Sequence, residues 1–109
     1  MKMNEFQEQA FEKAFYPNKG NNLSYVILGL NEEAGEVAGK VKKMLRDDNG
    51  VMSKEVRDAI IKELGDTLWY VACAAIEINA TLEEIAQTNI NKINSRKERG
   101  KLQGSGDDR

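Results

Sequence analysis

Apolar residues recur three and four positions apart along most of this chain, and no segment alternates with a period of two. This spacing is that of a helix with one apolar face, whereas a half-buried strand alternates apolar and polar residues. The periodic segments span about residues 4–16, 22–46, 54–78 and 82–97. The sequence therefore predicts an all-α fold of four helices without a sheet.

Turn-forming and capping residues separate the four segments. Pro17 ends the first segment, and Gly50 follows the second at a position suited to a positive φ. Ser53 is suited to cap the third helix, and Thr81 with Glu84 has the spacing of a capping box for the fourth. Because the connections are short, we expect an antiparallel bundle in which the second and third helices lie side by side.

Length and charge limit the classes of protein that this chain can represent. The 109 residues suffice for a single domain, 1–109, whose core is thin, so we expect the chain to associate at least as a dimer. Residues 98–109 are rich in glycine and charge and are predicted to form a flexible tail. The net charge of −2 argues against binding a nucleic-acid polymer. No apolar stretch reaches the ~18 residues of a membrane span, and the N-terminus lacks a signal-peptide core, so we expect a cytoplasmic protein without membrane contacts.

The chain contains no histidine. This excludes catalytic triads with histidine and most catalytic zinc sites, and it argues against di-iron carboxylate bundles, which normally take histidine from Glu-x-x-His motifs. The single cysteine, Cys73, excludes an internal disulfide and is predicted to be a small buried thiol. Any catalysis by this chain must therefore depend on carboxylates, lysine, arginine and a metal.

Two groups of acidic residues lie on neighbouring predicted helices. Glu33 and Glu36 share one face of the second helix beside Glu32, and Glu63 and Asp66 share one face of the third. Antiparallel packing would direct both pairs into one volume, where a divalent cation would offset their mutual repulsion. Ligand sets made only of oxygen favour Mg²⁺, Mn²⁺ or Ca²⁺ over zinc, and Mg²⁺ sites commonly share substrate phosphates. The alternative is that these acids are solvated charges on helix surfaces.

Further polar and aromatic residues accompany the acids. Tyr70 follows Asp66 by four positions and is suited to stack on a nucleobase, although a half-buried core tyrosine has the same pattern. Asn89, Lys92 and Arg96 form one face of the fourth helix and are suited to bind phosphate oxygens. A solvated cationic face near a helix C-terminus accounts equally well for the last two.

Several segments resemble a known family. They are GLNEEAGEVAGKVKKMLRD, KELGDTLWYV, NINKINSRKERG and GSGDDR. Together they resemble the MazG-like nucleoside triphosphate pyrophosphohydrolases of the all-α NTP pyrophosphatase superfamily, in their short single-domain form, over residues 6–109. The resemblance implies a helical bundle of that type, assembled as a homodimer or homotetramer. It also implies Mg²⁺-dependent hydrolysis, with Mn²⁺ as the other candidate metal, of an NTP or dNTP to the monophosphate and pyrophosphate, in house-cleaning of the nucleotide pool.

The resemblance assigns roles to individual positions. The implied metal ligands are Glu33, Glu36, Glu63 and Asp66, and Glu32 joins them as a further catalytic acid. The implied substrate-binding residues are Tyr70, Asn89, Lys92 and Arg96. Phe6 and Gln7 of the first helix are candidates to enclose the base. The competing interpretation is a non-catalytic helical module, with an interaction or regulatory role, that has retained the fold.

Overall fold

The computed structural model describes residues 1–109 as four α-helices without a strand. The helices are α1 (Met3–Lys13), α2 (Leu23–Asp47), α3 (Lys54–Glu77) and α4 (Leu82–Glu98). The all-α prediction is confirmed, and the last three helices begin and end within one residue of the predicted positions. None of the four helices combines the length and the apolar character that crossing a membrane would require.

The first helix is shorter than predicted because the chain becomes extended after Lys13. Ala14 has φ −69° and ψ 141°, and both Ala14 and Tyr16 are buried. Pro17 disfavours a helical conformation for the residue that precedes it. Phe15, which the periodicity places on the apolar face of the helix, is 93% exposed in this extended segment.

Side-chain caps define where the three long helices begin. The side chain of Asn22 accepts a hydrogen bond from Tyr25 N, and Ser53 Oγ accepts one from Val56 N at 3.1 Å. Thr81 Oγ1 accepts one from the backbone N–H of Glu84 at 3.0 Å. Such bonds satisfy amide groups that would have no partner at a helix start. The N-cap roles predicted for Ser53 and Thr81 are confirmed, but the Glu84 side chain does not accept from Thr81 N, as a complete capping box would require.

The buried core lies at one end of the α2–α3 hairpin, where α1 and the start of α4 pack against α3. One cluster of buried residues joins the end of α1 to α2 and α3, and a second joins α1 to α3 and α4. The first cluster contains Ala14, Tyr16, Val26 and Cys73, and the second contains Ala10, Ala72 and Leu82. The two long helices pack extensively, and the six-residue loop between them makes them antiparallel. Helix α4 does not pack against α2.

Much of the apolar surface of the single chain is exposed. The radius of gyration is 16.7 Å, whereas a compact chain of this length has about 13 Å. Large exposed apolar residues lie along α2 and α3, among them Leu28, which is 70% exposed. The others on these two helices include Leu23, Ile27, Ile61, Leu64 and Leu68. An apolar surface of this extent is typical of a face that another protein surface covers.

Candidate metal centre

Packing of α2 against α3 brings three of the predicted acids together. One carboxylate oxygen each from Glu33, Glu63 and Asp66 lies within 4.8 Å of the other two. The first two residues are half-buried, and Asp66 is exposed. Because Mg²⁺ and Ca²⁺ bind oxygen at about 2.0–2.6 Å, oxygens with this separation are able to contact one common cation. The three residues therefore form a candidate metal centre between the helices.

The electrostatics of this trio favour a cation. Burial, followed by repulsion from Asp66 and Glu63, raises the pKa of the Glu33 carboxyl. The protein itself supplies one positive charge, because Lys40 Nζ lies 4.0 Å from Glu63 Oε1. One lysine does not neutralise three carboxylates, so the residues present fit a divalent cation. The sequence interpretation missed Lys40, although its position seven residues after Glu33 puts it on the same face of α2.

The other two predicted acids lie beside the trio. Glu32 and Glu36 are exposed, and neither offers an oxygen within the 4.8 Å cluster. Both are close enough to contribute to the raised pKa of Glu33. The role of Glu36 as a metal ligand and the catalytic role of Glu32 stay predictions.

Tyr70 lies on α3 against the backbone of α2. Its ring is seated on Gly29, where an added Cβ would lie 2.6 Å from Tyr70 Cδ1 and closer still to two other ring carbons. The ring of Trp69 meets that of Tyr70 edge-on, with centroids 5.0 Å apart. Burial, followed by the proximity of Tyr25 and Glu33, raises the pKa of Tyr70. The half-buried ring is thus fixed near the acids, while its predicted contact with a base stays a prediction.

Tyr25 and Gly29 also lie near Tyr70 and the acidic trio, and the sequence analysis did not assign them to this site. Tyr25, Gly29 and Glu33 are four positions apart and therefore share one face of α2. Tyr25 is 40% exposed and stacks on Tyr16, with ring centroids 5.3 Å apart and planes inclined by 14°. The spacing of four between Tyr25, Gly29 and Glu33 is the sequence signal that could have assigned Tyr25 and Gly29 to this region.

The cationic residues of α4 lie in a different part of the chain. Arg96 is 7% exposed and Lys92 is half-buried, so the interpretation of Arg96 as a solvated charge is wrong. Asn89 is exposed. Helix α4 packs against α1 and α3 but not against α2, so this face does not contact the helix that contributes Glu33. Phosphate binding by these residues stays a prediction.

The two candidates from α1 pack within the protein. The side-chain amide of Gln7 donates to the backbone oxygen of Ala80 at 2.9 Å and accepts from Leu82 N at 3.1 Å. Gln7 is buried, and Phe6 packs against the second core cluster. Gln7 thus ties α1 to the turn between α3 and α4 through one donor and the oxygen of its amide.

Two comparisons with known proteins find similar sequences, and a third finds no similar structure. Residues 22–100 match the family described as the MazG nucleotide pyrophosphohydrolase domain. The chain is 50% identical over 109 residues to the Gene 37 protein of Mycobacterium phage L5, covering 95% of this chain and 96% of the phage protein. No solved structure matches the chain.

Proposed function

This chain belongs to the MazG nucleotide pyrophosphohydrolase family, and we propose that it hydrolyses an NTP or dNTP to the monophosphate and pyrophosphate in the presence of Mg²⁺. The observation that carries the proposal is the trio of Glu33, Glu63 and Asp66, contributed by two helices and within 4.8 Å. The trio lies inside the matched residues 22–100.

Under this proposal the carboxylates of Glu33, Glu63 and Asp66 hold the cation, with Glu36 as a fourth ligand. A bound Mg²⁺ neutralises charge on phosphate oxygens and lowers the pKa of its water, and Mn²⁺ supplies the same chemistry. An acid beside the trio, Glu32 or Glu36, accepts a hydrogen bond from the water that attacks the α-phosphorus. No histidine is required for these roles.

The remaining predicted residues contact the substrate in this proposal. Tyr70 stacks on the base from its seat on Gly29, which holds the ring beside the acids. Lys92, Arg96 and Asn89 bind phosphate oxygens through charged and amide donors. The protein acts on free nucleotides in the cytoplasm, in house-cleaning of the nucleotide pool, and binds neither a nucleic-acid polymer nor a membrane.

We also propose that the protein is a homodimer or homotetramer. The support is the exposed apolar surface of α2 and α3, which includes Leu28 at 70% exposure. Association would remove this surface from water and thereby stabilise the open arrangement of helices. A sedimentation mass of 12.2 kDa, that of one chain, at micromolar concentration would contradict it.

Steady-state hydrolysis tests the proposed function. The wild-type protein is assayed on standard and modified nucleoside triphosphates with and without Mg²⁺, and the products are identified as monophosphate or diphosphate. Glu63→Gln and Asp66→Asn should each lower kcat/KM by about 100-fold or more, because metal coordination contributes several kcal/mol to the transition state. Glu8→Gln, which removes an exposed acid from α1, should leave it unchanged.

The same variants separate the enzyme from the non-catalytic module. Turnover by Glu63→Gln and Asp66→Asn near the wild-type rate would contradict the proposal. So would release of a nucleoside diphosphate instead of a nucleoside monophosphate. Calorimetry with a non-hydrolysable triphosphate supplies a second measurement. Binding that depends on Mg²⁺ agrees with the enzyme, whereas no binding of either metal or triphosphate favours an interaction module.

A further inference from the structure

The last nine residues, Lys101–Arg109, form a closed loop that we call the tail segment. The guanidinium of Arg109 donates to backbone oxygens within the segment, to Lys101 at 3.0 Å and to Leu102 and Gly106 at 2.7 Å. These three bonds hold the segment together around one side chain. The sequence predicts a flexible tail, and the structure assigns it this internal arrangement.

The tail segment also folds back on α4. Gly100 has φ +69°, a conformation that glycine adopts at low cost, and it reverses the chain at the end of the helix. Arg99 Nη2 then donates to the backbone oxygen of Arg109 at 2.7 Å. The loop is thereby placed over the face of α4 that carries Lys92 and Arg96.

Asp107 and the residue before it, Gly106, contact the cationic side chains of α4. Asp107 Oδ1 lies 3.3 Å from Lys92 Nζ and 3.6 Å from Arg96 Nη2. The same Arg96 nitrogen also donates to the backbone oxygens of Gly106 and Asp107. The segment thus covers the guanidinium of Arg96, which is 7% exposed, and it leaves the side chain of Asp107 87% exposed.

The arrangement is that of an anion held by two cations at the edge of solvent. Hydrogen bonding to Lys92, followed by attraction from the charges of Lys92 and Arg96, holds the pKa of Asp107 below its usual value, so the carboxylate is ionised at neutral pH. A carboxylate and a phosphate oxygen use the same donors on lysine and arginine. The pair of Lys92 with Asp107 lies at the surface, where ion pairs are weak, and the Asp107 carboxylate itself is exposed, so a polyanion is able to displace it.

We propose that Asp107 is an internal competitor for the phosphate group that Lys92 and Arg96 bind, and that the tail segment must leave this face before a phosphate chain occupies it. The tail segment is then an autoinhibitory contact built into the fold. The assignment of Lys92 and Arg96 to phosphate rests on the proposed function, whereas the contact with Asp107 is independent of it.

Binding of inorganic tripolyphosphate tests the competition without requiring catalysis. Calorimetry in EDTA, which removes divalent cations from the acidic trio, compares the full-length wild type with Asp107→Asn. The control is Asp108→Asn, an exposed neighbour that makes no ion pair in the structure. Asp107→Asn should bind about three- to ten-fold more tightly than the wild type, as expected when weak competing ion pairs are removed. Asp108→Asn should bind like the wild type.

Two results of the calorimetry would overturn the proposal. One is equal or weaker binding by Asp107→Asn relative to Asp108→Asn, and the other is no binding of tripolyphosphate by any of the three proteins. If the wild type hydrolyses nucleotides, Asp107→Asn should also lower KM without changing kcat. Absence of hydrolysis would contradict the proposed function and leave the binding comparison intact.

Displacement of the segment has its own spectroscopic signature. In ¹H–¹⁵N spectra, the amide signals of Gly104 and Gly106 should move on saturation with tripolyphosphate, because both lie in the loop that leaves α4. Signals that stay in place at saturation would show that the anion binds without displacing the segment, and the proposal would be wrong.

Discussion

Replacing Gly29 by alanine tests the close packing of α2 against α3 beside the acidic trio. Gly29 is buried, and an alanine Cβ at this position would overlap three ring carbons of Tyr70. Trp69 lies edge-on against the same ring, which limits its movement. Gly39→Ala on the same helix is the matched control, because nothing lies within 4 Å of a Cβ there.

The expected magnitude follows from two opposing terms. Alanine in place of glycine inside a helix stabilises by about 1 kcal/mol, and this gain applies to both variants. Overpacking a close contact costs about 1–3 kcal/mol, and this cost applies only to Gly29→Ala. The free energies of unfolding of the two variants should therefore differ by about 1–3 kcal/mol. For a chain of this length, that corresponds to a difference in Tm of about 4–13 °C.

Thermal unfolding followed by circular dichroism at one protein concentration measures the difference. Gly39→Ala should melt above the wild type, and Gly29→Ala should melt well below Gly39→Ala. In a Tyr70→Ala background the Gly29→Ala change should become stabilising, because the colliding ring is absent. An increase in Tm for Gly29→Ala as large as that for Gly39→Ala would refute the close packing of Tyr70 on Gly29.

Three further predictions concern other parts of the molecule. Burial acts to raise the pKa of Glu77, but hydrogen bonds from the Tyr16 hydroxyl at 2.7 Å and from Gly20 N hold it below the usual value of 4.5. The ionised carboxylate therefore stabilises the fold above about pH 4.5 and loses this contribution as the pH falls. The free energy of unfolding of Glu77→Gln, measured in urea, should thus depend less on pH between about 5 and 3 than that of the wild type. Equal pH dependence of the two proteins would contradict this. Burial raises the pKa of the Cys73 thiol to about 11, so a disulfide reagent at about pH 8 should modify it only in denaturant, and rapid labelling of the native protein would be inconsistent with its burial. Leu28→Glu on the exposed apolar face should shift the sedimentation mass toward that of one chain, and an unchanged oligomer would exclude this residue from the interface.

The sequence determined the three long helices and two of their caps because these depend on residues within a few positions of one another. The periodicity and the caps at Ser53 and Thr81 located the three long helices to within one residue. The end of α1 was predicted incorrectly because a long-range contact competes there with the local pattern. Tyr16 is buried and bonded to Glu77, 61 positions away, and this contact together with Pro17 favours an extended chain over another helical turn.

The candidate site, like the fold, was predicted from the sequence only in part. The spacing of the acids along α2 and α3 was sufficient to predict that carboxylates from two helices converge, since residues three apart share a helix face. It was not sufficient to predict that Glu33, and not Glu36, has an oxygen within 4.8 Å of those of Glu63 and Asp66, because this depends on the rotation of α2 about its own axis. That rotation depends on packing contacts such as the ring of Tyr70 on Gly29.

The contacts made by charged side chains were decided by the tertiary structure alone. The proximity of Lys40 to Glu63 and the contact of Asp107 with Lys92 and Arg96 join residues on different elements. Local periodicity specifies which face of a helix a residue occupies, but the partner of that face depends on how the chain returns to it. The sequence by itself therefore determined which side chains are available for chemistry, and the packing of the helices and the tail segment decided which of them meet.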